Sequence, residues 1–576
     1  MAAETLALGI RAYQQGQRAK LHQTTGVGQL LAGEMGGQIH GGQARVVGII
    51  QLAGSQHIGP LGTIKDPLFM NSMEPINKAW DPAGMRLHAG QGLAQQIYSQ
   101  LKDKILRGDL AAAARLPTTR ELALALQVSR NTVVRAYETL ISEGFVVGRV
   151  GSGCFVAAIA HLATPQASVG RAPDGPNTAL WERLQGFEPT PTAPLQARAF
   201  RHGLPALDLF PHALWSRLQA RFWREQVRAP SQRRAVSLSY GEAAGLPRLR
   251  ELIAAYLSHS RGLQCSADQL IITAGSQQAI AMAALALVQP GDRVGMESPG
   301  YRAAAAALGL SGARVVPVPV DSQGLRVGAL QALGPLRLVY VTPSHQYPTG
   351  VAMSLQRRLE LLAWAERENA WLLEDDYDGE YRFNGVPLAP LATLTTLDQQ
   401  QRTLYIGSFS KLLFPGLRLG YLVAPAGWLP TLAKLRGVLD RQSSIADQVV
   451  MADFMAEGHF LRHVRRMRRA ALERRDAFSS AWAQDLKPHL PAALRDLPLQ
   501  PIDAGLQAFW PLPSRTWESR LVTAAAAADI ELGGLTQVGG LPAHSCEAGL
   551  VLGFASVPPA EIRRAIRLLA QVWRHM

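Results

Sequence analysis

Lys411 lies in the stretch TLYIGSFSKLLFPGLRLGYLVAP, Thr403 to Pro425. There the apolar run Leu404, Tyr405, Ile406 breaks at Gly407 into two hydroxyls, Ser408 and Ser410, and then the lysine. Such a run predicts a buried strand, so the amine stands on a small polar loop at a strand end. Arg418 follows behind the turn pair Pro415-Gly416 and can fold back towards the same loop. An amine, two hydroxyls and a guanidinium suit an aldehyde that also carries a phosphate. Pyridoxal phosphate (PLP) is such a molecule: a lysine forms a Schiff base with its aldehyde, while serine hydroxyls and an arginine fork hold the phosphate dianion.

Three further apolar runs end in groups that the same cofactor needs. AWLLEDDYDGEY, Ala370 to Tyr381, runs Trp371, Leu372 and Leu373 into an acidic tip. A carboxylate there holds a pyridine nitrogen protonated, and a tyrosine two residues on reaches the ring hydroxyl; Asp375 is assigned the first role and Tyr377 the second. QLIITAGSQQA, Gln269 to Ala279, turns through Gly275 into an Ala-rich helix whose free N–H groups form an anion site, with Ser276 and Gln277 at the phosphate. VGMESPGY, Val294 to Tyr301, delivers Tyr301 from a Pro-Gly turn to stack on the ring. These runs predict an open parallel sheet with the ligand at the C-terminal ends of its strands.

From about residue 200 to the end, the chain resembles a fold-type-I aminotransferase domain. YGEAAGLPRLRELIAAYL (Tyr240 to Leu257), TAGSQQA, ESPGY, PSHQYPTG and SFSKLLFPGLRLGY occur in the order that family uses. The resemblance implies a homodimer with active sites at the interface, in which Tyr240 reaches the phosphate bound by the partner subunit.

At 576 residues the chain has room for several domains with sizeable cores. No apolar run approaches the ~20 residues that span a bilayer. The start, MAAETLALGIRAYQQ, lacks the parts of a secretory signal. Cys154, Cys265 and Cys546 are far apart and have no metal-ligand spacing, so a reduced, cytoplasmic setting is expected, with no metal and no membrane partner. The net charge of +14 points to a polyanion.

Residues 1–82 are Gly/Gln-rich without sustained periodicity and are expected to be a disordered extension. Met70 and Met73 precede the first organised segment, so a natural start there is an alternative expectation. Residues 83–157 read as a domain. GLAQQIYSQLKDKILRGDL predicts a helix with the stripe Leu93, Ile97, Leu101 and Ile105, closed by Gly108. LPTTRELALAL starts a second helix, capped by Thr118 or Thr119. SRNTVVRAYETLISEG starts a third at a Ser129 cap, with Arg130, Asn131, Thr132 and Arg135 outward and Val133, Val134, Tyr137 and Leu140 inward. FVVGRVGSGCFV reads as two short strands around a Gly-rich turn, with Arg149 near its tip. Three helices and a β-wing make a winged helix-turn-helix, whose third helix enters a major groove of double-stranded DNA. RLPTTRELA, SRNTVVRAYETL and VGSGCFV together are similar to GntR-family DNA-binding domains. The resemblance adds Arg115, Arg120 and Gly151 to Gly153, Ser152 among them, as DNA contacts, with Thr118 and Ser129 beside them.

Residues 158–195 hold many Pro, Ala, Ser and Thr and are expected to be a semi-rigid linker. Residues 196–576 are the aminotransferase-like domain, with a smaller α/β part at about 435–576. The Arg cluster from Arg462 to Arg475 reads as a solvated helix face. The expected fold class is thus multi-domain: a winged helix-turn-helix (α+β), then an α/β PLP-dependent transferase fold of type I with large and small parts. That pairing resembles the MocR/GabR subfamily of transcriptional regulators, and it implies an operator-binding dimer that senses PLP or a PLP-amine adduct.

Two positions depart from working aminotransferases. Tyr347, in PSHQYPTG, stands where they carry an asparagine to the ring hydroxyl, with His345 or Gln346 as substitutes. Val551, in GLVLGFA, stands where the enzymes and the GABA-sensing members carry an arginine that pairs with a substrate carboxylate. An unpaired carboxylate against valine costs several kcal/mol. The expectation is therefore a regulator rather than an enzyme. An active aminotransferase carrying a DNA-binding domain is the competing reading, and a residual transamination half-reaction is compatible with either.

Overall fold

The computed structural model describes residues 84–88, 92–158, 178–185, 198–232, 238–385, 388–394, 401–539, 548–574 and 576. The expected N-terminal extension and most of the expected linker lie outside them. Inside the linker stretch, however, Ala179–Gln185 is helical, with Thr178 Oγ1 accepting the Trp181 N–H at 3.2 Å. The Pro-rich flanks masked a run of helix-forming residues, ALWERLQ. One compact unit falls within residues 1–170 and another within 171–576.

In the first unit, helices α1 (Leu93–Leu106), α2 (Thr119–Ala125) and α3 (Arg130–Ser142) precede a hairpin of β1 (Val146–Arg149) and β2 (Gly153–Val156). A bridge from Arg115 to Phe155 widens the hairpin on its other edge. The α2 cap is Thr118, whose hydroxyl accepts the Glu121 N–H while the Glu121 carboxylate accepts the Thr118 N–H, a reciprocal capping box. Ser129 Oγ likewise accepts the Thr132 N–H and caps α3. The core gathers Ile97, Leu101, Ile105, Leu122, Val133, Ala136, Tyr137 and Leu140. Two expected core residues differ. Leu93, in the first turn of α1, is exposed, and Val134 is only half-buried, since Ala136 lies closer to the stripe through Val133, Tyr137 and Leu140.

The second unit is built on an eight-stranded sheet in the order β3-β10-β9-β8-β7-β4-β5-β6. Its strands are β3 (Leu270–Thr273), β4 (Arg293–Ser298), β5 (Arg314–Asp321), β6 (Gly324–Leu325), β7 (Leu338–Val341), β8 (Trp371–Asp376), β9 (Thr403–Ser408) and β10 (Gly420–Val423). Strands β5, β4, β7, β8 and β9 are mutually parallel, and β10 runs antiparallel to both β9 and β3. Runs such as LIIT, LVYV and TLYIGS are buried throughout, as expected of strands covered on both faces. Helices Pro247–Arg261, Ser276–Leu287, Arg302–Leu310 and Leu355–Arg367 connect or flank these strands. The first begins at a proline and ends before Gly262 at φ +70°, where a left-handed residue closes the helix.

A smaller antiparallel sheet, β11 (Gln507–Pro511), β13 (Gly549–Gly553) and β12 (Gly533–Gly534), packs against the helix Arg515–Ala527, and Trp510 of β11 stacks on Trp573 of the helix Pro559–Trp573. It is not assembled from the C-terminal part alone. The Gly553 N–H donates to Phe200 O at 2.8 Å, so the segment through Arg201 to Gly203 runs from the small sheet towards the large one.

Candidate cofactor site and nucleic-acid interface

The large sheet brings most of the assigned groups to one edge. Gly275 and Ser276 follow β3, Tyr301 follows β4, His345 follows β7, Asp375 is the next-to-last residue of β8, and Ser408, the last residue of β9, leads into Ser410 and Lys411. Because β10 is antiparallel, its beginning lies at that same edge, with Gly420 opposite both Ser408 and Thr273, and this delivers Arg418.

Lys411 is half-buried and its Nζ donates to Gly203 O at 2.6 Å. Burial lowers its pKa, against the opposing pull of Asp378 and Asp375. A lowered pKa leaves more of the amine unprotonated near neutral pH, the form that attacks an aldehyde. Asp375 is buried; its Oδ2 accepts the Tyr340 hydroxyl at 2.8 Å and its Oδ1 has no partner. Burial pushes this carboxyl up to about 7, with Tyr340 and Lys411 pulling the other way. Asp376 belongs to the opposite face, as strand alternation requires. It forms a buried ion pair with Arg261 and accepts the Tyr405 hydroxyl at 2.7 Å.

Arg418, at φ +51°, places its guanidinium against Gly275, where a Cβ would lie 3.1 Å from Nη1. Gly275 itself has φ +93° and opens the helix Ser276–Leu287, so only glycine suits both its backbone and its neighbour. A guanidinium beside the free N–H groups of a helix start forms a cradle for an anion. Ser408 Oγ accepts the Ser410 N–H at 3.2 Å, leaving its own proton to donate. The side chain of Gln277 does not join this group: its amide donates to Ala303 O at 2.6 Å, so only its backbone lies at the helix start. Tyr240 is exposed, with Arg441 over its ring at 4.4 Å.

Tyr301, Tyr347 and Tyr377 form an edge-to-face series, at 5.5 and 6.0 Å between centroids. The Tyr377 hydroxyl lies 2.9 Å from His345 Nδ1, and that nitrogen is also 2.9 Å from Asp378 Oδ2. Gln346 is fully engaged elsewhere, donating to Pro299 O at 2.8 Å and accepting from Thr349, so of the two expected substitutes His345 is the one near Tyr377. Val551 is buried in an apolar cluster with Phe509 and Leu535. That cluster adjoins the Tyr301 loop through a Gly300 N–H to Gly539 O bond of 2.9 Å.

Three participants escaped the sequence reading. Tyr340 sits inside an apolar run and looks like core. Gly203 contributes a carbonyl, which leaves no side-chain signal. His202, next to it, lies against Gly533 and is driven down to about 4 by burial and by the nearby Lys411 and Arg201.

These residues fit PLP. An unpartnered buried carboxylate oxygen suits an N–H, the Gly275–Arg418 cradle suits an anion, and the Lys411 amine follows the neighbouring strand end. Lys411, Asp375, Arg418, Ser276 and Ser408 would hold the cofactor.

In the first unit, Arg115, Thr118, Arg120, Ser129, Arg130, Asn131, Arg135, Arg149, Gly151 and Ser152 are exposed and Thr132 is half-buried. Thr118 and Ser129 spend their hydroxyl oxygens on the caps. Arg130 Nε donates to Thr119 Oγ1 at 3.3 Å, and Arg120 and Arg130 line one open concavity with Leu124. Arg149 lies 4.9 Å over the Phe155 ring, beside the bare turn of Val150 and Gly151. The arrangement presents a helix N-terminus and a basic wing, which is how this fold addresses a groove and its phosphates.

Comparison with known proteins agrees with both halves. Residues 93–156 match the family described as "Bacterial regulatory proteins, gntR family", and residues 217–495 match "Aminotransferase class I and II". Over 480 residues the chain is 36% identical to "Probable rhizopine catabolism regulatory protein MocR" of Rhizobium meliloti, covering 82% of this chain and 92% of that protein. It is 31% identical over 475 residues to "HTH-type pyridoxine biosynthesis transcriptional regulator PdxR" of Corynebacterium glutamicum, covering 82% and 94%. This chain belongs to the MocR/GabR subfamily of GntR-type transcriptional regulators. Among solved structures, LysN, the α-aminoadipate aminotransferase of Thermus thermophilus, superposes with a TM-score of 0.58 at 27% identity, over 66% of this chain and 93% of that one. Like other MocR/GabR members, the chain therefore joins a DNA-binding domain to an aminotransferase-like domain of fold type I. No helix among the described residues is long and apolar enough to cross a membrane.

Proposed function

We propose that this regulator holds PLP on Lys411, and that occupancy of the site by the cofactor itself changes its affinity for an operator. The observation that carries the first part is the juxtaposition of the Lys411 amine, the unpaired Asp375 Oδ1 and the Gly275–Arg418 cradle. When bound, PLP supplies an electrophilic aldehyde and an electron-withdrawing ring. Lys411 supplies the nucleophile, Asp375 the counter-charge for the ring nitrogen, and Arg418 with the helix start the phosphate site. Val551 supports the second part: it is packed against Phe509 and Leu535, a surface that gives an amino-acid carboxylate no partner. Two copies pair, and the exposed Tyr240 completes the phosphate site of its neighbour. Arg130, Asn131 and Arg135 read the operator while Arg149 and Arg115 meet its phosphates.

The experiment is a PLP titration of the purified protein and of Lys411→Ala. Wild type becomes yellow, with a visible band that follows saturation, and Lys411→Ala does not. A colourless wild type in excess PLP contradicts the proposal.

A further inference from the structure

We infer that Tyr340 is a positioning residue for the cofactor site: its hydroxyl pins one oxygen of Asp375, so that the other is presented to a ring nitrogen in a fixed direction. The inference rests on the reading that the site takes PLP. Tyr340 stands in the fully buried run of β7 and is 1% exposed. Its hydroxyl donates to Asp375 Oδ2 at 2.8 Å, and Asp375 Oδ1 has no partner. The last torsion of an aspartate is broad and two-fold, so a carboxylate alone does not hold a plane. A donor on one oxygen fixes that plane, and because it bonds the charged form it favours the ionised carboxylate that an incoming N–H requires. It takes only Oδ2 and leaves the working oxygen free.

The next residue of the same strand supplies a matched comparison. On the opposite face the Tyr405 hydroxyl donates to Asp376 Oδ2 at 2.7 Å, and Tyr405 is as buried as Tyr340. Asp376 already has Arg261 as its counter-charge. Replacing either tyrosine with phenylalanine removes one oxygen from an equivalent buried bond to a carboxylate, but only Tyr340 lies on the site face.

The test titrates PLP into wild type, Tyr340→Phe and Tyr405→Phe, and reads both Kd and the ratio of visible to near-ultraviolet absorbance at saturation. In Tyr340→Phe, Kd rises roughly ten- to a hundredfold, the range for a lost bond to a charged group, and the absorbance ratio changes. Tyr405→Phe lowers the melting temperature but keeps both readouts within about threefold of wild type. Unchanged binding and spectrum in Tyr340→Phe, or equal changes in the two variants, overturn the inference. Should Tyr340→Phe not fold, the double variant Tyr340→Phe/Asp375→Ala, which buries neither a carboxylate nor an unpaired hydroxyl at that position, is compared with Asp375→Ala alone. If Tyr340 acts through Asp375, the double variant binds PLP within about threefold of Asp375→Ala; a tenfold further loss overturns the inference. Failure of wild type to bind PLP at all sinks the cofactor reading itself, a result distinct from those above.

Discussion

Asp375 and Asp376 are adjacent carboxylates, both buried, yet the pleat of β8 gives them different surroundings. Asp376 is neutralised by Arg261, whereas Asp375 faces Lys411 with one oxygen unpaired and its pKa lifted from 3.8 to about 7. Between those values the folded state holds this proton more tightly than the unfolded chain, so stability attributable to Asp375 falls as pH rises from about 4 to about 7. Asparagine carries no such cost. In the cofactor-free protein, Asp375→Asn should therefore gain on wild type through that window, by on the order of 2–4 kcal/mol above it, while its PLP affinity falls. Melts of both proteins near pH 5 and pH 8 check this, and a difference that does not vary with pH contradicts it. The sequence exposed Asp375 because a carboxylate at the end of an apolar run has few structural reasons to be there. It hid Tyr340, which reads as core, and Gly203, whose carbonyl reaches Lys411 from 208 positions away along the chain. Gln277 was legible as a helix-start residue, but nothing local says that its amide turns to Ala303.

At the scale of elements, caps and strand ends were legible, and stripe edges were not. Thr118, Ser129 and Glu121 announced two helix starts through chemistry that acts within three residues. Leu93 and Val134 lie at the margin of apolar stripes, where a small rotation decides burial, and periodicity does not fix that rotation. The helix at Ala179–Gln185 was lost among its Pro-rich flanks. The recognition helix and the wing carry different expectations. Arg130 stands at the start of α3, anchored to Thr119, so Arg130→Ala should cost about 1–3 kcal/mol on an operator and much less on random DNA. Arg149 stands on the wing, so Arg149→Ala should weaken both and flatten the salt dependence by about one ion. Binding isotherms on the two DNAs across a salt series separate the roles; equal losses on both for Arg130→Ala would remove its part in sequence reading.

The whole molecule couples a groove-reading unit to a unit built like a PLP enzyme, through residues rich in Pro, Ala, Ser and Thr. For a ligand to control DNA binding, it must interact differently with the two states of the protein. An amino acid usually gains that difference from an arginine on its carboxylate, and Val551 offers none. On the proposed reading PLP draws on Lys411, Asp375 and Arg418, which makes cofactor occupancy the larger available free-energy difference. The direct measurement is operator titration with cofactor-free protein, PLP-loaded protein, and PLP-loaded protein with a panel of amino acids and amines. PLP alone should shift operator affinity, by about 5-fold or more, and the panel should add no further change. Equal affinity with and without PLP, followed by a shift when one amine is added, would contradict it.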